Sequence, residues 1–228
     1  KFMGDEFSLI QKIIIWTLPV LFAITVHEVA HGWAALKLGD KTAQMMGRLT
    51  LNPIKHIDPL GTILVPGLLL MFTGFMFGWA KPVPVTFQNL RNPKKDMAWV
   101  ALAGPGANLV MGFLWAMVAK LGLVLAVNDV LISGPMIYMG VAGVLVNGML
   151  MLLNLLPLPP LDGGRVLVSI LPPHLAWRVE KVEPYGFFIL LALLYFGIVM
   201  MILWPLMQAY MGLLAFIFDM PMQVFFIL

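Results

Sequence analysis

Charged residues divide the chain into long uncharged stretches, 13–27, 59–80, 97–119, 130–161 and 184–218. Several exceed the roughly 18 apolar residues that a bilayer span needs. None sustains the ten-residue units of alternating polar and apolar positions that mark an outer-membrane barrel. The pattern predicts an all-α, polytopic membrane protein with about five to six transmembrane helices. It forms a single integral membrane domain over 1–228, with a core over 7–171 and additional helices in 184–228. Those last helices divide or kink near Trp204-Pro205. Residues 166–183 read as a short amphipathic stretch broken by Pro172 and Pro173.

Composition sharpens this picture. The chain of 228 residues is 61% hydrophobic and 11% charged, against about 25% charged in a soluble domain, and its mean hydropathy is +0.95. A soluble globular protein is excluded. With no cysteine, a disulfide, a thiolate nucleophile and a Cys-ligated metal are excluded as well. The net charge of +3 gathers in loops, as membrane topology requires, and does not form a nucleic-acid surface. The first apolar segment carries polar residues of its own, so no cleavable signal is evident.

Ionisable residues inside apolar segments are costly and therefore point to function. The first segment, about 7–36, holds His27-Glu28-Val29-Ala30-His31, an HExxH string that composition alone yields in roughly one such chain in a thousand. On a helix, positions i and i+4 share a face, so both imidazoles reach one metal ion while Glu28 stands beside it. Zinc suits nitrogen and oxygen ligands, but a catalytic zinc takes about three protein ligands and keeps one position open. The third must come from elsewhere. Asp129, Asp162 and Asp219 are the acids near apolar sequence, and Asp162 stands in Pro159-Pro160-Leu161-Asp162-Gly163-Gly164. There the prolines cannot continue a helix, and the glycines permit close approach or positive φ, presenting Asp162 on an unwound stretch. The plainer reading is a surface turn capping the next helix.

Three motifs in order, HExxH, then Gly104-Pro105-Gly106-Ala107-Asn108, then Asn154-x-x-Pro-x-Pro-Pro-Leu-Asp162-Gly-Gly, resemble the site-2 protease family of intramembrane zinc metalloproteases. The match runs over about residues 20–171 and is most like the short branch without a PDZ or CBS domain. The resemblance implies one Zn2+ per chain on His27, His31 and Asp162, with Glu28 as the base that activates the zinc-held water. Asn154 would hold substrate or the oxyanion. A plainer reading makes Asn154 interhelical glue, since Asn147 lies seven residues earlier on the same face. Asn108 reads as structural, its glycine and proline neighbours starting a helix.

A shared ion requires the helices carrying HExxH and the Asp162 motif to run parallel, hence an odd number of crossings between them. Two apolar stretches intervene, so one of them, 60–79, is expected to be re-entrant. If every stretch crosses, basic residues divide nine against five, whereas with 60–79 re-entrant they divide eleven against three. The second division is sharper and puts loops 37–59, 80–96 and 157–183 in the cytoplasm, with the zinc displaced toward that side. A prokaryotic inner membrane is the expected location.

The expected reaction is hydrolysis of peptide bonds within or near transmembrane segments of substrate proteins. An unwound substrate could pair with an enzyme edge at 81–86 or 47–51, read as short interfacial β or loop elements. The alternative is a non-proteolytic zinc carrier or scaffold, although no second HExxH or Asp-Gly half suggests a transporter's repeats. Hydrolysis of a lipid or small peptide would use the same residues. His56 reads as an interfacial loop residue, His174 as solvent-facing, and Gly140-x-x-Gly143 as weak support for helix crowding. No nucleic-acid partner is expected, and a regulatory membrane partner or a homo-oligomer is left open.

Overall fold

The computed structural model describes residues 8–65, 68, 71, 78 and 80–228. A capping box starts α1 (Leu9–Lys37): the Ser8 hydroxyl accepts from the Gln11 amide and the Gln11 side chain accepts from the Ser8 amide, satisfying two of the orphan donors of a helix start. A short α2 (Thr42–Met45) follows. The long helices α3 (Pro93–Ala126) and α4 (Ser133–Asn154) form a hairpin closed by a turn in which Asp129 has a positive φ. After an irregular stretch come α5 (Asp162–Ile170), α6 (Pro173–Glu180), α7 (Glu183–Tyr195) and α8 (Ile198–Ile217).

Four of these helices, α1, α3, α4 and α8, are long and apolar enough to cross a membrane. Their outward faces carry large apolar side chains, among them Phe22, Leu114, Met201 and Phe216, which are exposed. An apolar surface of that extent belongs against lipid. At 13 residues α7 is about 20 Å long, short of the roughly 30 Å hydrocarbon core. The described residues therefore supply four candidate spans where about five to six were expected. Residues 60–79, read as re-entrant, lie largely outside the described residues.

Side-chain contacts set the helix directions. His31 meets Val100 and Ala23 meets Asn108, so α1 and α3 are antiparallel. Asn108 meets Asn147, and Gly122 abuts Ile137, so α3 and α4 are antiparallel too. Hence α1 and α4 run parallel, as a shared ion requires. Lys120 at one end of α3 donates to the Asp219 carbonyl and Tyr210 packs against Gly112, which makes α8 parallel to α3.

Two expectations about packing change. The C-terminal region divides at Gly197, in the left-handed conformation at φ 74°, while Pro205 lies inside α8. Gly140 and Gly143, which read as only weak support for helix crowding, both face α3: a Cβ on Gly140 would run into Ala119 and one on Gly143 into Trp115. Positions three apart share a helix face as well as positions four apart.

The expected β elements do not form. Among the described residues there is no strand, and 81–86 is extended coil. The reason lies in its amide protons. Pro82 and Pro84 have none, the Lys81 amide donates to the His56 carbonyl, the Val83 amide to Glu28 and the Thr86 amide to Asp40. Too few remain to build a ladder. Residues 81–89 form a strap pinned across the bundle by side chains.

Candidate metal centre

On α1, His27 and His31 stack four residues apart and point at α3, while Glu28, about 100° further round the helix, points at the strap. The segment bringing the third group is shaped by Pro157, Pro159 and Pro160, with a cis bond between the last two. Asp162 is not on the unwound stretch itself but is the first residue of α5, where the positive end of the helix dipole favours a carboxylate. The glycines after it serve close approach. A Cβ on Gly163 would strike the Leu155 and Leu156 carbonyls, and one on Gly164 the backbone at Pro159.

His27 Nε2 and His31 Nε2 lie 3.0 Å apart, and each is 3.3 Å from Asp162 Oδ2. The His31 Nδ1–H donates to the Val100 carbonyl at 2.7 Å, so its Nε2 turns a lone pair inward. His27 Nδ1 lies 2.5 Å from Asn108 Oδ1. Asp162 Oδ2 is buried and finds no hydrogen-bond partner among the described residues. Three electron-pair donors converging in a buried place repel one another unless a cation sits between them. Bonds of about 2.0–2.1 Å at tetrahedral angles would hold such atoms roughly 3.3 Å apart. The donor set therefore fits a metal ion, and it is the group of His and acidic residues so placed among the described residues.

Around this triad opens a cavity of about 380 Å³. Glu28, Asn154 and Arg165 line it with Pro82, Val83 and Ala101. Glu28 Oε2 accepts the Val83 amide at 2.7 Å, which holds its carboxylate at the cavity wall. Asn154 donates one amide proton to the Leu150 carbonyl of its own helix. All five residues singled out from the sequence, His27, Glu28, His31, Asn154 and Asp162, therefore border one space. His56 stands elsewhere, buried with its Nε2 donating to the Thr50 carbonyl, and His174 is exposed.

Asn108 departs from its structural reading. It sits mid-way along α3, not at a helix start, and touches His27 directly. Gly104 belongs to the same device, because a Cβ there would collide with both imidazoles. The signal that could have revealed this is spacing. Gly104 and Asn108 are four apart, as are His27 and His31, so antiparallel helices can match the pairs. The Glu28–Val83 bond had no such local signal.

The strap is fixed at both ends. Arg48 Nη2 donates to the Lys81 and Pro82 carbonyls at 3.0 and 3.3 Å. Fully buried Asp40 accepts from Thr86 N at 2.7 Å and from Asn89 Nδ2 at 3.1 Å, and also from the Thr42 amide and hydroxyl. Burial works to raise the Asp40 pKa, but these hydrogen bonds, first the Thr42 hydroxyl and then the Thr86 amide, hold it below the usual carboxylate range.

Comparison with known proteins gives the family. The chain is 37% identical over 211 residues to "Putative zinc metalloprotease YwhC" of Bacillus subtilis, covering 92% of this chain and 91% of that one. It is 32% identical over 178 residues to "Putative zinc metalloprotease Rip2" of Mycolicibacterium smegmatis, covering 76% of this chain and 64% of the relative. A Mycobacterium tuberculosis protein of the same name is 29% identical over 178 residues, covering 76% of this chain and 63% of its own. No family model and no solved structure matches the chain. Likeness to YwhC along nearly the whole of both chains, together with the His27, His31 and Asp162 centre, means that this chain belongs to the site-2 protease family of zinc metalloproteases.

Proposed function

We propose that the protein is an intramembrane zinc endopeptidase that hydrolyses peptide bonds within or near transmembrane segments of other membrane proteins. The observation that carries the reading is the convergence of His27, His31 and Asp162 beside Glu28 on a helix long enough to span a bilayer. His31 and His27 lie six and ten residues before the end of α1 at Lys37, about 9 and 15 Å along the axis. That depth falls inside a hydrocarbon core of about 30 Å, displaced toward the end where the basic loops gather. This end is the cytoplasmic one in our reading.

His27, His31 and Asp162 would hold the zinc. Bound zinc supplies a Lewis acid that polarises a scissile carbonyl and makes water more acidic. Glu28 takes a proton from the attacking water as its oxygen bonds to the carbonyl carbon, and delivers that proton to the amide nitrogen as the C–N bond breaks. Asn154 has a second amide proton beyond the one given to Leu150, and donates it to the developing oxyanion or to substrate backbone. A helical substrate must unwind to enter. The Val85 amide and the Val83 and Val85 carbonyls have no hydrogen-bond partner among the described residues, too little for a full ladder but enough to bind a short extended stretch of peptide.

Zinc content and cleavage of a transmembrane substrate with a helix-breaking residue, measured on detergent-solubilised protein, test the reading. The wild type is expected to hold one zinc and cut. Glu28→Gln keeps zinc and loses cleavage, Asp162→Ala loses zinc, and Asn154→Ala keeps zinc with kcat down about 100-fold. A Glu28→Gln variant that cuts like the wild type sinks the mechanism.

A further inference from the structure

We infer that Asn147, whose hydrogen bonds among the described residues go to Asn108 and Gly143 and to none of the three candidate ligands, is a positioning residue: through Asn108, and together with the Ala23 carbonyl, it sets which nitrogen of His27 carries the proton. Hydrogen-bond bookkeeping along one buried chain leads there. Asn147 and Asn108 are both wholly inaccessible to solvent, so their amide groups must find partners within the protein. Asn147 Nδ2 lies 2.8 Å from the Gly143 carbonyl of its own helix. A backbone carbonyl only accepts, so the amide nitrogen is fixed on that side and Asn147 Oδ1 is turned toward α3.

The next link inherits this choice. Asn108 lies against two acceptors, the Ala23 carbonyl at 3.2 Å and Asn147 Oδ1 at 2.9 Å. Its two N–H groups serve both, which leaves Oδ1 as the only Asn108 atom able to face His27, at 2.5 Å from Nδ1. An amide oxygen cannot donate. As a neutral imidazole, the form that binds metal, His27 must therefore carry its proton on Nδ1 and present the unprotonated Nε2 to the metal centre. Turning Asn108 over would set its oxygen against both acceptors at once.

His31 needs only the Val100 carbonyl for the same result. Among the described residues no main-chain carbonyl accepts from His27, and two asparagines from α3 and α4 replace one. The relay thus spans three helices and reads only their mutual register. It prepares Nε2 before a metal arrives, as partners behind metal-binding histidines do. The inference uses the metal-centre reading only for what Nε2 binds.

The test uses the full chain with 15N-labelled histidine, free of metal, with the His27 resonance assigned by its loss in His27→Ala. The wild type is expected to show His27 protonated on Nδ1. Asn147→Leu removes the shorter of the two bonds that orient Asn108 and leaves the 3.2 Å bond to the Ala23 carbonyl, so the hold loosens, His27 becomes a mixture of tautomers and cobalt(II) binds about 10-fold more weakly. Asn147→Asp, as a neutral acid in this buried place, can donate its hydroxyl to Gly143 and accept from Asn108, so it restores both readouts. Asn147→Ala replaces the leucine variant if that one does not fold. His27 protonated on Nε2 in the wild type overturns the inference, whatever the variants do. So does an unchanged tautomer in Asn147→Leu, or equal loss in the leucine and aspartate variants, which would mark a packing role. Failure of the wild type to bind cobalt or zinc would instead overturn the proposed function, while the tautomer remains readable.

Discussion

Gly104 has no side chain because the two imidazoles occupy the space where one would be. A Cβ there meets the His31 ring at its Nε2 and Cε1 and the His27 ring at Cε1, and neither ring can retreat without leaving its Nδ1 partner, Val100 or Asn108. Gly104→Ala should therefore leave the helices formed, since alanine favours a helix by about 1 kcal/mol over glycine, yet weaken metal binding by about 10-fold or more. A metal titration beside a circular dichroism spectrum checks this. Wild-type affinity in the variant would mean that the two rings do not crowd Gly104. The convergence of His27, His31 and Asp162 was legible in the sequence as a candidate ligand set because two of them are four residues apart on one helix and Asp162 stands between prolines and glycines. Asn108 was not, because its role depends on which residues of α1 and α3 come face to face, and no local pattern encodes that register.

At the scale of elements, the strap is where reading from the sequence and the structure part most. Valines and prolines alternating over 82–85 suggest an edge strand, but which amides are already committed depends on Glu28, Asp40 and His56, up to 55 residues away in the chain. Its dependence on Asp40 gives a pH effect of definite sign. A carboxylate whose folded pKa is depressed adds stability that is fully present above its unfolded pKa, near 3.9, and is lost as pH falls through the folded value. The strap should accordingly stay anchored from neutral pH down to about 4 and loosen only below that. Asp40→Asn mimics the loss at neutral pH by replacing an ionised acceptor of several donors with a neutral amide, at a cost of about 1.5–3 kcal/mol. Amide exchange at Thr86 should rise about 10-fold or more in the variant, KM should rise, and metal affinity should change little because the ligands sit on α1 and α5. An unchanged exchange rate at Thr86 would show that Asp40 does not anchor the strap.

For the whole molecule, the number of crossings follows from helix direction. Since α1 and α4 run parallel with α3 antiparallel between them, one crossing separates them, and residues between α1 and α3 must begin and end at the same side. The described ends of that region agree, for the Lys81 amide donates to the His56 carbonyl at 2.9 Å, so the chain leaves and returns at one level whatever lies between. The parity argument could be made from the sequence, because it needs only a shared ion. The division of 184–228 could not, since residues 184–218 run on without a charge and Gly197, the actual divider, looks like any other glycine in an apolar helix. The absence of native cysteine makes the topology directly measurable. Met45 and Leu131 are exposed, at 76% and 96%, and His174 is exposed too, so each can be replaced by a single cysteine and offered a membrane-impermeant maleimide on sealed inverted vesicles and on intact cells. Met45→Cys and His174→Cys should label together from the cytoplasmic face, and Leu131→Cys from the opposite one. If 60–79 crossed the bilayer, Met45 and His174 would label from opposite faces. That outcome would break the parallel arrangement of α1 and α4 on which the assembly of His27, His31 and Asp162 depends.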